Sequence, residues 1–246
     1  MVSPEFFIKS LQNNGVNFYA GVPDSLLKNV CAYITDNVGS DRNIITANEG
    51  AAVGLASGHY LATEEVPLVY MQNSGIGNAV NPLLSLADEK VYSIPMILMI
   101  GWRGEPGVHD EPQHIKQGEV TIPLLDAMGI PHVILPDNDD DAGKVIKDMV
   151  SECKRTSRPY ALVIKKGTFD KYKLKKEVKN TYPLSREQAL KIVASHLSSN
   201  DVVVSTTGKL SRELYEFRDE MGQTHGQDFL TVGSMGHSSS IALGIA

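Results

Sequence analysis

Apolar positions along this chain alternate between short runs and spaced stripes, and that alternation predicts strands that each feed a helix. Ser3-Pro4-Glu5 reads as a helix start, with Ser as cap and Pro at the first helical position, and Phe6, Phe7 and Leu11 as its apolar stripe. A strand is expected over 17–20, running into the turn Gly21-Val22-Pro23-Asp24-Ser25, then a helix over 26–37 and a strand over 43–46. From Glu49 follows a helix made almost wholly of small residues, then a strand over 67–71. Gln72-Asn73-Ser74-Gly75-Ile76-Gly77-Asn78 opens another helix, and an apolar strand is expected over 96–100. After a long polar loop come a helix ending near Met128, a strand over 132–135, a helix from Asp137 and a strand over 160–164. About six such β units predict an α/β fold: a parallel sheet covered by helices on both faces, in three layers.

The rhythm stops after Lys165, where lysines dominate and no period holds, so residues 1–165 are expected to be one domain and 166–184 a linker. A second α/β unit is expected over 185–246. It opens on Ser185-Arg186-Glu187-Gln188, continues with strands over 201–205 and 228–232 around a helix near 210–220, and ends on a small-residue helix after Gly233-Ser234-Met235-Gly236. That helix reaches Ala246 without a cap or polar tail, so the second domain reads as incomplete.

Composition narrows the class. A hydrophobic fraction of 42% with 21% charged residues suits a globular protein with a real core, and a net charge of −6 leaves no electrostatic footprint for nucleic acid. Cys31 and Cys153 fall in helical segments with no CxxC spacing, as free thiols would in a reducing compartment. The longest apolar run, 95–101, is too short to cross a bilayer, and a cytoplasmic location is expected.

Candidate chemistry concentrates in three places. Asn48-Glu49-Gly50-Ala51-Ala52 sets a lone carboxylate at the start of a helix so smooth that a flat ligand or backbone can come close. The turns at Gly75-Ile76-Gly77-Asn78 and Gly233-Ser234-Met235-Gly236 offer free N–H groups at helix starts, but neither has the spacing of a dinucleotide fingerprint or a phosphate loop. The stretch from Gly101 to Gly118 gathers Trp102, Arg103, His109, Asp110, Glu111 and His114 after an apolar strand, where open α/β sheets bind ligands.

In their order these motifs, with Ser205-Thr206-Thr207-Gly208-Lys209-Leu210-Ser211-Arg212-Glu213-Leu214, resemble the thiamine diphosphate-dependent 2-oxoacid decarboxylases over nearly the whole chain. The 101–118 stretch and the Ser-Arg-Glu-Leu segment are most similar to the branch acting on phosphonopyruvate and sulfopyruvate. The resemblance implies a pyrimidine-binding first domain followed by the start of a diphosphate-binding one. It implies that Glu49 activates the cofactor by a hydrogen bond to its aminopyrimidine, with Gly75, Gly77 and Asn78 beside it. Gly208, Ser234 and His237 would line the cofactor pocket, and Met235 would prop the cofactor in its bent shape. Ser25 and His114 would act on the substrate side as polar and proton-transferring groups, and Arg103 and Lys116 are the obvious cations for a phosphonate.

The family's Gly-Asp-Gly magnesium motif is absent and would lie beyond residue 246, so no metal ligand is expected here, although Mg2+ is implied as a cofactor. A homo-oligomer is also implied, because in relatives the acid of one subunit meets the cofactor held by another. These 246 residues alone are expected to bind thiamine diphosphate poorly. Sulfopyruvate remains an alternative substrate. A Rossmann-like module binding a nucleotide or a partner through its glycine turns is the non-enzymatic alternative.

Overall fold

A computed structural model describes residues 1–176 and 180–246, which divide into two compact units, Met1–Glu177 and Val178–Ala246. In the first unit the helices are α1 (Pro4–Asn13), α2 (Lys28–Asn37), α3 (Glu49–Thr63), α4 (Ile76–Pro82), α5 (Pro112–Ala127) and α6 (Asp139–Thr156). The strands are β1 (Tyr19–Gly21), β2 (Asn43–Ile45), β3 (Leu68–Gln72), β4 (Ile97–Gly101), β5 (His132–Ile134) and β6 (Tyr160–Ile164). A 3-10 turn, Asn73–Gly75, precedes α4, and a π turn, Leu83–Ala87, follows it. All neighbouring strands run parallel, in the order β2-β1-β3-β4-β6-β5. The chain therefore reverses its direction of travel across the sheet between β1 and β3, which opens a crevice at their carboxyl ends.

Strand pleating divides the core in two. Tyr19, Leu68, Tyr70, Ile97, Met99, Leu162 and Ile164 point to one face, where Phe7, Leu11, Val30, Ile34, Ile146 and Met149 of α1, α2 and α6 cover them. Ala20, Val69, Met71, Leu98, Ile100 and Val163 point to the other, against Ala52, Val53, Ala56, Ile76, Ala79 and Leu125 of α3, α4 and α5. The expected three-layer α/β fold is thus present. Ser3 and Asn48 cap α1 and α3 as their side chains predict, accepting from the N–H groups of Phe6 and Ala51. Cys153 is buried and Cys31 half-buried, both free, and burial pushes both thiols up to about 12.

Two expectations need correcting. Residues 166–176 do not behave as a linker: Val2 and Phe169 form a parallel bridge, and Phe169 packs edge-on to Phe7 with ring centroids 5.0 Å apart. The N–H groups of Lys175 and Lys176 also donate to the Asp36 carboxylate. Apolar residues spaced too widely to show a period still anchor this stretch. Positions 177–179 of the expected linker lie outside the described residues. The second correction is that α5 begins at Pro112, so His114, Lys116 and Gly118 sit on a helix rather than in a loop.

The second unit contains α7 (Arg186–Ser195), β7 (Val203–Ser205), α8 (Lys209–Glu220), β8 (Asp228–Leu230) and α9 (Ser238–Ile245), with β7 and β8 parallel. Ser185 and Gln188 form the capping box expected at α7. Its small core of Ala194, Leu214 and Phe217 is accompanied by Arg218, buried and bidentate to Asp228 through Nε and Nη2, both at 3.0 Å.

Candidate active site

The Glu49 side chain is held at the first residue of α3 and is 8% exposed. Asn78 Nδ2 donates to its Oε2 at 2.7 Å. The other oxygen lies against Gly75, where a Cβ would come within 2.3 Å of Oε1, so any side chain at 75 would displace the carboxylate. Oε1 has no hydrogen-bond donor among the described residues. Gly77, by contrast, faces open space. The structure thus brings Glu49, Gly75 and Asn78 together on a largely buried residue whose second oxygen is available to a donor, which suits an N–H on a heteroaromatic ring.

A second cluster forms where the β1–α2 turn meets the loop after β4. Arg103 grips Asp110 with Nε at 2.8 Å and Nη2 at 2.5 Å, and its Nη1 donates to Ser25 Oγ at 2.9 Å. His114 Nδ1 lies 2.9 Å from Asp110 Oδ1. Asp110 also accepts from the N–H groups of Gly104 and Glu111. The Arg103 guanidinium above all, with His114 and the two amides, holds the Asp110 carboxyl far below the usual carboxylate range despite its desolvation. The structure gathers Ser25, Arg103 and His114 into one cluster, in which two of the Arg103 guanidinium nitrogens are already turned to Asp110. Lys116 is not part of the cluster: its side chain is 82% exposed and pairs with Glu119.

Three further residues build the frame. Asp24 is 6% exposed and accepts from Gln72 Nε2 at 2.6 Å and from the Leu26 N–H at 2.9 Å, across the reversal between β1 and β3. Buried Asn73 exchanges hydrogen bonds with the Arg103 backbone and donates to Thr121 Oγ1. The turn Asn73–Gly75 thereby ties the two clusters: one end holds the Arg103 backbone and the other makes room for Glu49. Gly104, at φ +69°, and Gly118 let the loop lie on α5, since a Cβ at 118 would fall 1.6 Å from the Gly104 carbonyl oxygen. Asp24 and Asp110 lie in stretches that the sequence singles out, but neither is among the residues given a role in the site there. The usable signals were an acid two residues past Val22 in a strand-end turn, and the i,i+4 spacing of Asp110 and His114 at a helix start.

In the second unit, Thr207 Oγ1 donates to the Gly233 carbonyl, joining the turns after β7 and β8. Gly208, at φ +100°, caps α8; Ser234, at φ +53°, and Met235, 61% exposed, precede His237, which caps α9. These four candidates share the carboxyl end of the β7–β8 pair.

Comparison with known proteins identifies the family. Residues 2–129 match the family described as thiamine pyrophosphate enzyme, N-terminal TPP binding domain. A phosphonopyruvate decarboxylase from Streptomyces viridochromogenes is 31% identical over the whole chain, and the chain spans 64% of that relative's length. A sulfopyruvate decarboxylase subunit alpha from Methanococcus maripaludis is 34% identical over 67% of the chain and 95% of the relative. Among solved structures, benzoylformate decarboxylase from Polynucleobacter necessarius shares the fold, with a TM-score of 0.52 at 18% identity over 82% of this chain and 38% of that one. With a buried helix-start carboxylate beside a glycine turn at the crevice of a parallel sheet, the chain belongs to the thiamine pyrophosphate enzymes and carries their N-terminal TPP binding domain.

Proposed function

We propose that the complete protein decarboxylates 3-phosphonopyruvate to phosphonoacetaldehyde and carbon dioxide, using thiamine diphosphate with Mg2+ and acting as a homo-oligomer. The observation that carries this reading is Glu49: a carboxylate buried at a helix start, fixed by Asn78 and Gly75, with one oxygen left for a ring donor. That acceptor fits a ring N–H of an aminopyrimidine. The 31% identity to a phosphonopyruvate decarboxylase supports the substrate. Thiamine diphosphate, when bound, supplies the electron sink for loss of the carboxyl group.

The chain's own residues orient, screen and move protons. The bond between carboxyl and carbonyl carbons breaks, carbon dioxide leaves, and a proton takes its place. His114 and Ser25, linked to one another through Asp110 and Arg103, are the groups assigned to the proton traffic and the substrate carbonyl. Arg103 presents Nη1, the edge of its fork not taken by Asp110, to the phosphonate. Glu49→Gln in the complete protein is expected to abolish turnover while leaving the fold intact, measured by product formation and circular dichroism. Near-normal rates in that variant would refute the reading.

Sulfopyruvate is the second reading, favoured by the 34% identity to a sulfopyruvate decarboxylase subunit. A phosphonate gains a second negative charge near neutral pH and a sulfonate does not, so the pH dependence of KM separates the two substrates.

A further inference from the structure

Resting on the proposal that His114 handles protons for the reaction, we propose that Asp110 is its positioning residue: it fixes the His114 ring with hydrogen on Nδ1 and leaves Nε2 bare as the working nitrogen. Asp110 receives four hydrogen bonds, from Arg103 Nε and Nη2 and the N–H groups of Gly104 and Glu111, and His114 Nδ1 lies 2.9 Å from its Oδ1. A carboxylate so provided with donors stays ionised and can only accept, so the atom of His114 that meets it must donate. In a neutral imidazole the second nitrogen is then an acceptor. Asp110 and His114 side chains are each 14% exposed, so water competes little for this contact.

The surroundings leave no rival for the role. Arg103 carries no acceptor, and its Nε and Nη2 are turned to Asp110. Glu111 opens α5 and Asp24 faces Arg103 from the β1–α2 turn, but Asp24 is taken by Gln72 and the Leu26 amide. Four of these contacts fold the loop 103–111 around Asp110 and the fifth, to His114, joins it to α5, so ring orientation and loop shape share one residue. Asp110 touches no reacting atom; it acts through its neighbours.

The test is 15N-imidazole NMR of the complete, cofactor-free protein at about pH 8.5, where free imidazole is neutral, the His114 signals being identified by their loss in His114→Gln. The expected wild-type pattern is hydrogen on Nδ1 with unprotonated Nε2. In Asp110→Asn, whose amide can donate to Nδ1, the pattern moves toward hydrogen on Nε2. Decarboxylation kcat then falls by roughly 100-fold, within the range of general acid–base effects. Hydrogen on Nε2 in the wild type, or an unmoved tautomer in Asp110→Asn, would overturn the proposal. Should Asp110→Asn not fold, the wild-type spectrum alone still decides. Absence of decarboxylation of any 2-oxoacid by the wild type would count against the proposed function and leave the NMR result to be read independently.

Discussion

Asp110 and Glu49 are both shielded carboxylates, but their surroundings assign them opposite parts. Glu49 has a single side-chain donor and keeps an open acceptor, as a ligand-binding group requires. Asp110 is saturated, as a structural anchor should be. The anchor carries a pH signature whose sign follows from linkage. Its folded carboxyl titrates far below the unfolded one, so it contributes stability above about pH 4 and loses it as the pH falls toward the depressed folded value. The gap in urea midpoint between wild type and Asp110→Asn, followed through the single tryptophan Trp102, is therefore expected to be widest at neutral pH and to narrow below about pH 4. A gap independent of pH would remove the charge from the account. Of these two acids, only Glu49 was legible in the sequence, because its small-residue helix set it apart. Asp110 stood among Glu105, Glu111 and two histidines, and nothing in one dimension shows which acid a loop folds around.

Elements were legible where local chemistry is decisive. Caps at Ser3, Asn48 and Ser185 placed three helix starts, and apolar runs placed β3, β4 and β6 to within a residue. The start of α5 was missed because its first turns are polar and its helical face is set by contacts from the residues that follow β3 and β4: Asn73 to Thr121, and Trp102 Nε1 to the Gly118 carbonyl at 2.9 Å. The order of strands was equally hidden, since periodicity says nothing about neighbours. Gly118 gives this element its test. Alanine inside a helix normally gains about 1 kcal/mol over glycine. Here the added methyl would overlap the Gly104 carbonyl, and relieving that overlap costs about 1–3 kcal/mol. Gly118→Ala should therefore lower the melting temperature and shift the Trp102 emission. A raised melting temperature would show that the loop can yield freely.

At the scale of the whole molecule, each unit carries its own core, and the second depends heavily on one buried pair. The Arg218 side chain is 5% exposed and that of Asp228 fully buried, so Asp228→Ala strands a charge away from water at a cost of about 3–5 kcal/mol. Hydrogen exchange is expected to show protection lost over 186–245 while amides of β3, β4 and β6 stay slow. Uniform loss across both units would mean that they unfold as one. The first unit closes on itself differently. The Val2 N–H donates to the Thr168 carbonyl at 2.7 Å and the Asp170 N–H returns to the Val2 carbonyl at 2.9 Å, which sets the opening residues of the unit beside its closing ones. Because residues 2 and 170 already lie side by side, the first unit can be rewired: a short glycine-serine splice between residues 170 and 2, with new termini cut at the exposed Ser40–Asp41 turn, should yield a circular permutant of that unit that preserves every strand register around Glu49.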